Sequence, residues 1–234
     1  MSYIPYLSTL ITFIFTIAVF MRYLRHGGIH LLFWSIGLLL YGLGTLTEVL
    51  LGISYHIVLL KIWYLSGAML TAAWLGTGTV HLLIHKGRIA QIITWVLVIV
   101  SGLSIVLVFM GPSSSIAYDI TRPASAQYAS ILTSSSPRII LTILLNTYGT
   151  LALVGGALYS AFLFWRKKVL ANRMVGNIFI AAGALLPAMG GSFVKAGLVD
   201  LLYLSELLGV VLMFIGFLLA TAPQPQSLSS ARTK

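Results

Sequence analysis

The chain has 234 residues, 59% of them hydrophobic and 8% charged, where soluble domains carry roughly a quarter charged residues. Its formal net charge of +10 would suggest nucleic acid in a soluble protein, but these cations flank apolar runs, where they set orientation and meet anionic headgroups, so no nucleic-acid partner is expected. The absence of cysteine removes disulfides, thiolate metal sites, cysteine-ligated clusters and cysteine nucleophiles.

A helix needs about 20 apolar residues to cross the hydrocarbon core. The apolar runs predict seven spans, at 5–24, 31–53, 57–84, 89–111, 138–165, 174–196 and 201–222. The fold class expected is an all-α polytopic membrane bundle over 1–222, with no room for a soluble domain. Arg22 and Arg25 follow the first run and no Lys or Arg precedes it, so it reads as a retained span and not as a cleaved leader. Short connections make successive spans antiparallel neighbours. The exception is the external loop 112–137, rich in Ser, Thr, Ala and Pro, which is open to two readings, a lid or a disordered segment. The stretch 223–234 reads as a flexible cytoplasmic tail.

Charge sets the expected orientation. With the N-terminus outside, Arg22, Arg25, Lys86, Arg88 and Arg166, then Lys167, Lys168, Arg173, Arg232 and Lys234, fall in the cytoplasm; Lys61, Arg122, Arg138 and Lys195 fall outside. That bias follows the positive-inside rule. All four acids, Glu48, Asp119, Asp200 and Glu206, lie on the outer half. Trp63, Tyr64, Tyr118 and Tyr203 on one side, and Tyr23, Trp34 and Trp165 on the other, are placed as interfacial belts. Glycines in spans two, three, five and six read as close-packing positions. Pro187, followed by Gly190 and Gly191, marks span six as the bent or moving element. No internal repeat suggests an inverted-repeat transporter.

Ionisable groups inside a membrane are expensive unless paired, hydrated or used. Glu48 near the outer end of span two and Lys61 one turn into span three are positioned to pair across a short connection. Lys195 and Glu206 repeat the arrangement between spans six and seven, with Asp200 between them, and Glu206 is the deeper acid. Asn146 and Tyr148 in span five, with Trp63, Tyr64 and Trp74 in span three, are expected to wall the same outward-opening pocket, which has the ordinary form of a small-molecule site. His81 and His85 share a helix face, and with His26 and His30 they form a low-prior metal or haem set; the expectation is no cofactor. His56 stands apart outside. The strip Arg166–Arg173 reads as an anionic-lipid contact or a partner-docking site.

Span seven carries no central lysine for a retinal Schiff base. The HxxxH pair sits at an interfacial end without an intramembrane Asp, unlike zinc-dependent intramembrane hydrolases. No phosphate loop or Ser-His-Asp arrangement is present, so no catalytic residues are assigned and the chain is expected not to be an enzyme.

Residues Leu32–Leu83, LFWSIGLLLYGLGTLTEVLLGISYHIVLLKIWYLSGAMLTAAWLGTGTVHLL, resemble the seven-helix N-terminal sensor region of certain bacterial histidine kinases. The likeness lies in span two ending on an acid in TLTEVL, a short outer turn, and WYLSGAMLTAAWL opening span three. It implies a sensor module in a bacterial cytoplasmic membrane; without a kinase domain in this sequence, the module would act through a separate partner. The expected function is a membrane sensor or binding module for a small ligand or lipid. The alternatives are a small transporter or proton-coupled channel using Glu48 and Glu206, and an accessory subunit of a larger membrane complex. Expected partners are the bilayer with its anionic cytoplasmic headgroups and a membrane protein or second copy.

Overall fold

The computed structural model describes residues 3–84, 88–133, 135–167 and 171–222, without the side chains of residues 191, 195 and 199. His85, Lys86, Lys168, Arg232, Lys234 and the stretch 223–234 lie outside the described residues, as does the Lys195 side chain.

Among the described residues seven helices are long and apolar enough to cross a membrane, and the chain is an all-α membrane bundle. They are α1 (Ile4–His26), α2 (Ile29–Leu51), α3 (Ile57–Leu83), α4 (Ile89–Phe109), α6 (Ser136–Arg166), α7 (Ala171–Ala188) continued by α8 (Gly190–Lys195), and α9 (Val199–Thr221). One short helix, α5 (Ala124–Ile131), lies in the connection between α4 and α6. The bounds fall within a few residues of those expected from hydropathy, because a run must stay apolar for as long as it is in lipid.

Local chemistry fixes the ends. Gly27 and Gly28 take φ of 66° and 98°, a region open to glycine, and the Gly27 N–H closes α1 on the Tyr23 carbonyl. The His56 Nδ1 accepts from the Val58 N–H at 3.3 Å and so caps α3; His56, isolated in the sequence, is a helix cap. Pro187 cannot donate within its helix, and α7 ends at Ala188 before α8 restarts at Gly190. Span six, expected to bend or move near Pro187, is thus interrupted at Met189.

Six spans close a ring in the order α1, α2, α3, α6, α7, α9 and back to α1, with α4 outside it against α3 and α6. The glycines act as expected at several seams. A Cβ on Gly149 would lie 2.2 Å from the Ala72 carbonyl carbon, and one on Gly183 2.6 Å from the Gly209 oxygen, so α6 meets α3 and α7 meets α9 backbone to backbone. Gly155 has open space around it and is no seam.

Two apolar clusters divide the bundle lengthwise. One, including Phe15, Val19, Leu38, Val154 and Phe217, packs the half that carries the Gly27–Gly28 turn, the far half. The other, including Leu51, Leu60, Met69, Val108, Ile131 and Leu132, packs α2, α3, α4 and α6 against the connection holding α5. The described part of that connection, 112–133, is packed against the bundle and is called the lid below. Ser113 and Leu132 form an antiparallel bridge, the Ser114 N–H donates to the Ile131 carbonyl at 2.8 Å, and Ala124 and Ile131 are fully buried.

Candidate functional site

Under the lid the ring opens into a cavity of about 700 Å³, within the range of roughly 300–1,000 Å³ common to small-molecule sites. Its polar wall comes from Thr45 and Glu48 on α2, Thr71 on α3, Thr142 and Asn146 on α6, and Glu206 on α9. Trp63, Tyr64 and Tyr128 supply an aromatic wall, and Leu75, Leu153 and Met213 the floor.

Two π-helical turns, Tyr64–Leu70 in α3 and Leu151–Gly155 in α6, border this space. A π turn displaces the i→i−4 ladder and leaves carbonyls to be satisfied elsewhere. Thr71 returns to the Ser66 carbonyl through its hydroxyl at 2.8 Å. Asn146 Nδ2 donates to the Ala68 carbonyl at 2.8 Å and to the Thr142 carbonyl at 2.9 Å. Asn146 is thus both cavity wall and interhelical tie, and it carries the α6–α3 register at the site. Tyr64 joins the same seam through a 2.9 Å bond between its hydroxyl and that of Thr142.

The acids have separate duties. Glu48 Oε1 accepts from the Tyr203 hydroxyl at 2.6 Å and from the Ala124 N–H at 3.0 Å. One carboxylate therefore caps the first turn of the lid helix, where partial positive charge favours an anion, and ties it to α2 and α9. Glu206 reaches the cavity from α9, and no described residue hydrogen-bonds or ion-pairs with its carboxyl group; its backbone carbonyl accepts from the Tyr41 hydroxyl at 3.0 Å. The hydroxyl of Ser125, on the cavity wall and 91% buried by a relative exposure of 9%, has no hydrogen-bond partner among the described residues.

Several expected contacts are replaced by others. Lys61 does not pair with Glu48: its Nζ donates to the Phe109 carbonyl at 2.9 Å and the Gly111 carbonyl at 3.1 Å. It caps α4, whose last carbonyls lack intrahelical donors and carry partial negative charge. Tyr148 does not face the cavity; its hydroxyl meets that of Thr77 at 2.9 Å. Trp74 likewise turns away, its Nε1 reaching Ser101 Oγ at 3.3 Å and its ring stacking on Phe33. Trp63 and Tyr64 line the cavity, and Tyr203 holds the Glu48 carboxyl group that ties the lid to α2. Pro187 lines the cavity, and Gly190 packs against Leu202. Asp200 is exposed in the first turn of α9.

Among the described residues no group of three metal-ligating side chains converges. His81 Nε2 shares a 2.8 Å bond with Thr94 and the ring stacks on Phe33, His30 stands edge-on to Trp34, and His26 is exposed.

Four residues of the lid region make contacts that sequence reading does not assign. Arg138 was expected only as an outer charge; it is 3% exposed, donates through Nη2 to the Leu132 carbonyl at 2.9 Å and lies 5.2 Å from the Tyr64 ring centroid, a cation–π contact. Gln127 gathers the lid loop, its Nε2 donating to the Asp119 and Arg122 carbonyls at 2.9 and 2.8 Å and its Oε1 accepting from the Asp119 N–H at 3.0 Å. Tyr118 stacks on Tyr55 at 4.6 Å; burial, then the nearby Glu48 charge, pushes its phenol up. Asp119 accepts from the Thr121 hydroxyl and N–H, and these bonds hold its carboxyl below the usual range. No motif marks these contacts: Arg138 and Gln127 act through loop carbonyls whose positions depend on how the connection folds, and Tyr118 through the distant Tyr55.

No family model, curated protein or solved structure matches this chain.

Proposed function

We propose that this chain is a non-enzymatic membrane module that binds a small ligand or lipid in the lidded cavity and conveys occupancy through span six. The observation that carries this reading is a cavity of about 700 Å³ with convergent polar groups at one end of a bundle that is closed at the other. Below Leu75, Leu153 and Met213 the ring narrows to an apolar void of about 30 Å³ among side chains such as Phe15, Val19 and Leu38. A transporter or proton channel needs a polar path continuing past that floor, and the described residues offer none there. The accessory-subunit reading draws on small-residue seams, but Gly149, Gly176, Gly183 and Gly209 are spent on contacts inside the chain.

With the N-terminus outside, as the loop cations favour, the lid and cavity face outward and the expected setting is a bacterial cytoplasmic membrane with anionic headgroups on the inner side. Pro187 and Ala188 line the cavity where α7 gives way to α8. A ligand that touches both segments stabilises one arrangement of that break over another, the condition for any switch. The resemblance to kinase sensor regions fits such an output, delivered to a separate membrane protein or a second copy.

The test is gentle extraction from native membranes, followed by mass spectrometry of what co-purifies and by thermal unfolding after delipidation and add-back. One small molecule near unit stoichiometry, with an unfolding temperature that rises on its return, is expected. A stoichiometric protein partner over an empty cavity would overturn the reading in favour of an accessory subunit.

A further inference from the structure

The cavity is not walled equally on all sides. The far half of α6 packs on α7, and the contact thins toward the lid, where α8 leans on α9. Thr147 and Leu151 on α6 and Ala188 on α7 line the cavity yet are exposed on the outside of the bundle, Leu151 at 69%. These positions lie within transmembrane-length helices, so the gap between α6 and α7 faces lipid. A molecule dissolved in the bilayer reaches the cavity through it without displacing the lid.

Charge selects among such molecules. Two carboxyl groups, Glu48 and Glu206, line the cavity, and no described Lys, Arg or His does. Glu48 is engaged by Tyr203 and the lid helix, whereas no described residue bonds to the Glu206 carboxyl group. An acid at this depth is costly unless something compensates it. The Trp63 ring adds a face able to hold a cation, and the unpartnered Ser125 hydroxyl adds an acceptor for an N–H donor. The floor and the gap are apolar, at Leu75, Leu153 and Leu151. One end of the space suits a positive head and the other an aliphatic body.

We infer that the ligand is a single-chain cationic amphiphile, a protonated amine on an apolar chain, which reaches the cavity sideways between α6 and α7 and sets its charge against Glu206. This rests on the reading of the cavity as a ligand site, and the experiment separates the two claims.

The protein in phosphatidylcholine nanodiscs is titrated with dodecylamine, dodecanol and dodecanoate, which share a chain and differ in head charge. Binding is read from Trp fluorescence with Trp63→Phe as the site control, after subtraction of partition into empty discs. Dodecylamine is expected to bind at least about tenfold more tightly than dodecanoate, the scale of one desolvated charge pair. Glu206→Gln is expected to remove about that factor for dodecylamine and leave dodecanol unchanged. Ala188→Trp, which narrows the gap, is expected to slow uptake of dodecylamine from preloaded discs. Equal or tighter binding of dodecanoate overturns the charge assignment and leaves the cavity standing, as does a Glu206→Gln protein that binds dodecylamine unchanged. Unaltered uptake by Ala188→Trp overturns the lateral path. If none of the three probes gives a Trp63-dependent signal, the ligand-site reading itself falls. Should Glu206→Gln fail to fold, the ranking of the three probes on the unmodified protein still decides the charge.

Discussion

The two halves of this bundle are built from the same residue types and end in opposite states. In the far half, Gly176 meets Gly216 at backbone distance while Val19, Leu38 and Phe217 crowd what remains. In the lid half the glycines still bring α3 against α2 and α6, but π turns on α3 and α6 and the break after Pro187 stop the helices from closing on one another. The lesson is that close contact at some levels of a bundle and open space at others are compatible when the helices depart from regular α geometry between them. Small residues set how near two helices come; irregular turns set where the space is left.

The sharpest way to break this comparison is to force the closed seam apart. Gly149→Leu places side-chain atoms where a Cβ alone would already lie 2.2 Å from Ala72 backbone, and α6 must move off α3. Overpacking of this kind costs about 1–3 kcal/mol, occasionally more. A fall in unfolding temperature and a loss of folded yield are expected. Gly155→Ala, six residues on in the same helix, meets nothing within 4 Å and is expected to be neutral or stabilising by up to about 1 kcal/mol. Equal damage from both would contradict the assignment of seams.

A second change tests the tie that holds the lid half open in register. Asn146→Leu removes the donor to the Ala68 carbonyl, and an unsatisfied buried carbonyl costs about 1–3 kcal/mol. The expected result is a lower unfolding temperature that Asn146→Gln restores only in part, because the longer side chain shifts the amide by one methylene. An Asn146→Leu protein as stable as the original would show that the π turn does not need this partner.

Tyr203→Phe leaves the ring in place and deletes the 2.6 Å bond to Glu48. Faster amide exchange and proteolysis within 112–133 are expected, with the far half unchanged; uniform loosening of both halves would count against a local tie. The smallest effect is in pH. The Asp119 carboxyl is held below its ordinary value of 3.8 by Thr121, so its contribution to lid order is complete above that value and declines as pH falls through the lowered one. Corrected amide exchange at Thr121 should therefore be flat from neutral pH down to about 4 and rise below it, and Asp119→Asn should remove the transition.

Much of the frame was legible before any coordinates. Length and hydropathy locate the spans because lipid admits no polar interruption, and Pro187 marks the break because a missing N–H acts locally. Counting turns from the helix ends puts Glu48, Asn146, Trp63, Tyr64 and Glu206 at similar depth, and all five line the cavity. What counting could not supply is rotation and competition. Tyr148 and Trp74 lie at suitable depth on suitable helices but are turned toward Thr77 and Ser101, and the π turn in α3 changes the angular phase after Tyr64 in a way that no 3.6-residue count reproduces. Lys61 had two partners within reach, an acid and the carbonyl end of α4, and the choice depends on where α4 stops in space. Arg138 and Gln127 resemble ordinary loop residues until the lid packs over them.

The central claim is that one half of the bundle holds an accessible cavity and the other is sealed, and the absence of native cysteine makes it directly measurable. Single cysteines at Ala72, on the cavity wall, and at Val19, fully buried in the far half, are treated with N-ethylmaleimide in membranes of the folded protein. Rapid modification at position 72 with protection at position 19 is the result this account predicts. Equal rates at the two positions, or protection at both, would contradict it.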